Sequence, residues 1–242
     1  VYTATGLSPR GFPLIYDAVF VTKRSPSGAD LWRVAVPAAS RSQAVLNDFV
    51  LDRQGNPLVL FNDGFALGAV NSTRVVKLAA SNGAVLWNQP ASPTAGNTVY
   101  NGRLAVDTAN NPVVALTDSA LEGANRFRVI KLAASNGTTL WSRFLSRNAP
   151  TQTDIVTDIA VDSVNDIAVT GTTGSGECVA NPDSSSLTYK LRGADGSVRW
   201  SRIYAPAGRS VIRPLVGTDG SGNVYLGMTA SSSDFRAALV KL

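Results

Sequence analysis

Side chains able to do chemistry are few in this chain, and most of them keep a fixed rhythm. All five lysines occupy one place in a recurring pattern: Lys23, Lys77, Lys131, Lys190 and Lys241. Four aspartates recur in the same way: Asp52, Asp107, Asp162 and Asp219. Together they could make a ring of charges. A carboxylate at the start of a short turn, however, accepts backbone N–H groups there, and a nearby ammonium can complete its shell. A residue present in every copy belongs to the repeating unit rather than to one site, so both sets are assigned to structure. Chemistry that differs from copy to copy stands at one position on Asp48, Arg103 and Asp158, with Arg213 close by. At the mouth of a central channel these four form a candidate ligand-binding cluster, in which opposite charges partly neutralise one another. The competing reading is a solvated salt-bridge cluster with no ligand.

Other chemistries are poorly supplied. The chain has no histidine and a single cysteine, Cys178. His-based triads, His general bases and ordinary zinc or haem ligation are therefore excluded within it. An internal disulfide framework and a thiolate metal cage are excluded too. Cys178 lies in GTTGSGECVANPDSSS (171–186), whose turn-forming composition exposes the thiol. It could form an intermolecular disulfide, carry a covalent attachment, or be an incidental free thiol. The Asp and Asn residues of that loop lack the spacing of a calcium site, and the D-x-x-x-N turns are too short to supply six oxygens. Glu122 and Glu177, the only glutamates, fall between strands, so the matched carboxylates of a glycosidase are not recognisable. No catalytic residue, metal ligand set or cofactor is expected. Net charge is +5, but the basic residues are scattered without aromatic interleaving, so nucleic acid is not an expected partner. No apolar run approaches the length of about 18 residues that a membrane-spanning helix needs. The absence of a starting Met and of a signal-peptide pattern suggests a processed product or an excised piece.

The elements that must position these residues are written in a repeat. VVKLAASNGAVLW at 75–87 returns as VIKLAASNGTTLW at 129–141, with weaker copies at 21–32 and 188–200 and a truncated ALVKL at the end. A period near 55 residues signals a repeat architecture. Each repeat resolves into four short apolar segments separated by turn residues. The A segments are 47–52, 102–107, 157–162 and 214–219, and the B segments 56–61, 111–116, 166–171 and 223–228. The C segments contain the lysines, and the D segments contain Trp32, Trp87, Trp141 and Trp200. Residues 1–6 read as a B segment, so B and C occur five times but A and D only four. Gly55, Asn110, Asn165 or Gly222 precedes each B segment after an A, which predicts a left-handed turn residue. Gly28, Gly83, Gly137 and Gly196 each stand four residues before a Trp, which predicts a turn with a bulge. From Asp to the next Lys the gap is 25, 24, 28 and 22 residues, whereas Lys to Trp is always 9 or 10. Long B–C and D–A loops therefore gather on one edge, opposite rigid short turns, as in a scaffold that presents a binding face.

The pattern Lys–Leu–x4–Gly–x3–Trp, followed by A-V-D-x-x-x-[ND] and a V-x-V-T-G strand, resembles bacterial β-propeller repeats of the quinoprotein (PQQ-like) type without the cofactor site. The resemblance covers nearly the whole chain. It implies an all-β fold, a propeller of four-stranded antiparallel blades with about five represented and the first and last incomplete. It also implies that the D-strand tryptophans dock on the glycine turns of neighbouring blades. Residues 1–242 are expected to form one domain, either part of a longer propeller or completed by another chain that supplies the missing strands. The expected function is a non-catalytic, extracytoplasmic scaffold that binds protein through the long-loop face. Two alternatives stand beside it: a carbohydrate-binding lectin with stacking aromatics such as Phe65, Tyr100 and Tyr204, and a remnant of a quinone-dependent dehydrogenase.

Overall fold

The alternation of apolar and polar residues, cut at regular intervals by Gly, Asn and Asp, folds as antiparallel meanders. The structure is a computed structural model that describes residues 1–6, 18–37, 44–63, 72–91, 98–119, 125–145, 153–174, 184–232 and 235–242. Among these residues every regular element is a strand. The fold is a β-propeller type built from five sheets, in which consecutive strands pair with their neighbours.

Two compact units divide the chain. The first comprises Val1–Val99 with Ala133–Thr138. Its three-stranded sheet contains β1 (Tyr2–Gly6), β2 (Ala18–Arg24) and β3 (Asp30–Pro37), which are B, C and D strands. Its four-stranded sheet contains β4 (Ala44–Leu51), β5 (Pro57–Asp63), β6 (Ser72–Leu78) and β7 (Val85–Pro90). Val19, Val21, Val36, Val59, Phe61, Val76 and Leu78 form one core between these two sheets. The middle strand β5 is buried along its whole length, which explains its continuous apolar run.

The second unit comprises Tyr100–Leu132 with Thr139–Leu242. One four-stranded sheet is β8 (Thr98–Val106), β9 (Pro112–Ser119), β10 (Asn125–Leu132) and β11 (Thr139–Leu145). Another is β12 (Thr153–Val161), β13 (Ile167–Gly174), β14 (Ser185–Leu191) and β15 (Val198–Tyr204). The last sheet has three strands, β16 (Ser210–Thr218), β17 (Val224–Ser231) and β18 (Phe235–Lys241), which are A, B and C. The main core packs Val113, Ala115, Phe127, Val129 and Trp141 of one sheet against Val156, Val169, Leu187 and Tyr189 of the next. Full burial of each of the larger apolar side chains contributes about 1.5–3 kcal/mol.

The turns adopt the backbone their residue types suggest. Asn110 (φ 64°) and Asn165 (φ 69°) are left-handed, like Gly55 (φ 77°) and Gly222 (φ 78°) at the matching positions. The A strands depart from the sequence reading. They begin three or four residues earlier, at Ala44, Thr98, Thr153 and Ser210. A register shift separates the early part of β4 from the rest between Leu46 and Asp48. The same break falls between Val156 and Asp158 in β12, and between Ile212 and Leu215 in β16. A bulge inserts an extra residue and reverses the inside–outside alternation, so a period-two reading stops there. Arg213 (φ 45°) sits at the last of these breaks in left-handed backbone, and Asn101 (φ 46°) of β8 shares that conformation, unusual for residues with a Cβ.

Candidate functional site

The repeated lysines and aspartates meet as buried pairs at the short-turn edge. Lys77 Nζ stands 2.8 Å from Asp52 Oδ2, Lys131 Nζ 2.8 Å from Asp107 Oδ2 and Lys190 Nζ 2.6 Å from Asp162 Oδ2. Each Asp also closes its own turn. Asp52 Oδ1 accepts the Gln54 and Asn56 backbone N–H groups, and its Oδ2 accepts Asn56 Nδ2. Burial opposes ionisation of Asp52 and Asp107. The lysine partners and the Asn56 and Asn111 hydrogen bonds outweigh it, so both carboxyls titrate below the usual range. At the third of these turns, after Asp162, Asp166 replaces the Asn; having no side-chain N–H to give, its carboxylate turns to Arg199, with Nε to Oδ2 at 2.5 Å. At the two incomplete sheets the pattern changes. Lys241 stands over the Tyr225 ring, 5.6 Å from its centroid, while Asp219 Oδ2 accepts Asn223 Nδ2 and the Tyr225 hydroxyl.

Lys23, Lys77 and Lys131 also reach across to the next sheet. Trp32 Nε1 and Lys23 Nζ both donate to Ala80 O, at 3.2 and 2.7 Å. Trp87 and Lys77 converge on Ala134 O, and Trp141 and Lys131 on Gly193 O. Each indole face lies on a left-handed glycine. A Cβ at Gly83 would stand 2.8 Å from Trp32, one at Gly137 2.6 Å from Trp87 and one at Gly196 2.7 Å from Trp141. Gly28 has no described atom within that reach. Trp200 is half-buried and packs with Ala168, Val216, Val224 and Leu242. Recurrence identified these residues; that lysine and tryptophan share one carbonyl is visible only in three dimensions.

The residues that vary between copies line a different place. Within the second unit, a cavity of about 430 Å³ is lined by Asn101 and Arg103 of β8, Ile155, Val156 and Thr157 of β12, Thr172 of β13, and Arg213 and Leu215 of β16. Arg103 bridges two strands, with Nε donating to Thr157 O at 2.7 Å and Nη1 to Gly102 O at 2.9 Å. Arg213 is exposed. Asp158 does not line the cavity: its Oδ1 accepts the Ile159 N–H and its Oδ2 the Val216 N–H, at 2.9 and 2.8 Å. Asp48 belongs to the first unit, where its Oδ1 accepts the Phe49 N–H. The structure thus brings Arg103 and Arg213 together and turns the two acids to backbone duty. Asn101, Thr157 and Thr172 carried no sequence signal for this cavity; Thr157 is the extra residue at the β12 register shift.

Cys178, Glu122, Glu177 and Phe65 lie outside the described residues, as does most of the long-loop edge. Tyr204 is half-buried and packs against the cluster of Val211, Leu226 and Met228. No cluster of three or more acidic, His or Cys side chains suited to a metal is present among the described residues. No helix among them is long and apolar enough to cross a membrane.

Comparison with solved structures supports the fold. A protein of unknown function from Dyadobacter fermentans DSM 18053 superposes with a TM-score of 0.64 at 7% identity, over 98% of this chain and 70% of that one. The quinohemoprotein alcohol dehydrogenase of Comamonas testosteroni gives 0.58 at 16% identity, over 98% of this chain and 42% of that one. The quinohemoprotein alcohol dehydrogenase of Pseudomonas putida HK5 gives 0.52 at 12% identity, over 93% and 44%. At these identities the likeness is one of fold alone. A search of curated proteins returns no significant match. A family model described as outer membrane protein assembly factor BamB matches residues 19–230, nearly the whole run of repeats just described. On that match, the chain belongs to this PQQ-like propeller family.

Proposed function

We propose that this chain is a non-catalytic, protein-binding propeller of the bacterial cell envelope, acting as a scaffold in outer-membrane protein assembly. The observation that carries this reading is the family match over residues 19–230. The geometry agrees with it, because the repeated Lys, Asp and Trp side chains of the intact sheets serve contacts within and between blades. The long-loop face remains the proposed docking surface, and residues 1–242 the proposed single propeller domain. Exported to a bacterial periplasm with an affinity tag, the chain should cross-link to components of the outer-membrane assembly machinery in stoichiometric amount. Recovery without any such cross-link, together with binding to a glycan array or turnover of an alcohol, would replace this reading by the lectin or dehydrogenase alternative.

A further inference from the structure

Beyond that scaffold role, the cavity of the second unit has the make-up of a ligand site. Three features converge on it. Two guanidinium groups, Arg103 and Arg213, line it, and no carboxylate does. Arg213 has no hydrogen-bond or ion-pair partner among the described residues, so its charge is uncompensated at the cavity. Thr172 is only 4% exposed and lines the same space, yet its hydroxyl has no partner among the described residues. Arg213 holds left-handed backbone at φ 45°, immediately before Pro214. For a residue with a Cβ that conformation costs about 1–2 kcal/mol, and strain of this kind gathers where a ligand is gripped. The remaining walls, Ile155, Val156 and Leu215, are apolar.

We propose that this cavity binds a small ligand through an oxyanion, a carboxylate or phosphate group held between Arg103 and Arg213 with Thr172 donating its hydroxyl. Arg103 is pre-oriented by its bonds to Thr157 O and Gly102 O, which leave its other terminal nitrogen to face the ligand. Arg213 supplies a second, adjustable charge. The volume, about 430 Å³, suits a small molecule.

The test uses the whole chain with two probes, sodium benzoate and inorganic phosphate, titrated by calorimetry at low ionic strength. At least one probe should bind, and the stronger of the two identifies the source of the oxyanion. Arg213→Gly removes the charge while relieving the strained backbone, so the variant should be at least as thermally stable as the parent. Its binding should be about tenfold or more weaker, the loss expected for one hydrogen bond to a charged group. Thr172→Val keeps the shape and should weaken binding by a smaller factor. The proposal is overturned if neither probe binds the parent, or if Arg213→Gly binds as tightly as the parent.

Discussion

The contact between Trp87 and Gly137 can be weighed by a pair of alanine substitutions at equivalent glycines. Gly28 and Gly137 both lie in the first compact unit and both have left-handed backbone, at φ 90° and 72°. Alanine at either site bears the same conformational penalty, about 1–2 kcal/mol. Part of it is offset by the smaller entropy of the unfolded chain, about 0.4–1 kcal/mol. At Gly28 nothing further follows, since no described atom stands within 4 Å of the added Cβ. At Gly137 the new methyl would lie 2.6 Å from Trp87 and 2.7 Å from Gln89. The indole must move, at an overpacking cost of about 1–3 kcal/mol. Its hydrogen bond to Ala134 O, now 3.1 Å, would go as well, for about 1 kcal/mol more. Gly28→Ala should therefore cost about 1 kcal/mol, and Gly137→Ala about 2–4 kcal/mol beyond that. Urea denaturation followed by far-ultraviolet circular dichroism gives both values, and tryptophan fluorescence reports the displaced indole. Equal losses for the two variants, to within about 0.5 kcal/mol, would refute the docking argument.

Other expectations concern the buried charges and turns. Lys77→Met strands the Asp52 carboxylate and should cost about 3 kcal/mol, the low end for a broken buried pair because turn N–H groups still hold Asp52. Lys241→Met, at an exposed position without a carboxylate partner in the described ion pairs, should stay within about 0.5 kcal/mol by the same urea titration. Because the folded Asp52 and Asp107 carboxyls titrate below their unfolded values, their contribution is present above the unfolded pKa of about 3.9 and is lost as pH falls through the folded values. Thermal melts should thus be flat with respect to these groups near neutrality and fall in strong acid, and Lys77→Met should lose part of that acid slope. Asn165→Gly keeps the left-handed turn but removes the acceptor of the Thr108 N–H, and should cost about 1 kcal/mol in the same melts.

The blade was legible in the sequence because its constraints are local and repeated. Gly137 and Asn165 announce their turns through the backbone they tolerate, and strand alternation announces the buried faces. Lys131 and Asp107 were marked by recurrence as parts of one unit, although 24 residues separate them in the chain. The resemblance of the Lys–Gly–Trp pattern supplied the docking partners of the tryptophans, but not the carbonyl shared by Lys131 and Trp141.

The cavity was only half legible. Arg103 and Arg213 stood out because they break the repeat, and Asp48 and Asp158 were grouped with them for the same reason. Which of the four face open space depends on bulges at the starts of the A strands, where one extra residue turns a side chain from one face to the other. Asp158 was thereby directed to the Val216 N–H and Thr172 was brought in from a neighbouring strand. Sequence by itself determined the repeat, the strands and the turns, since each follows from residue type and short-range spacing. Tertiary structure alone decided which charges are paired and which stay open, because a register shift carries no signature in composition yet reorients every side chain beyond it.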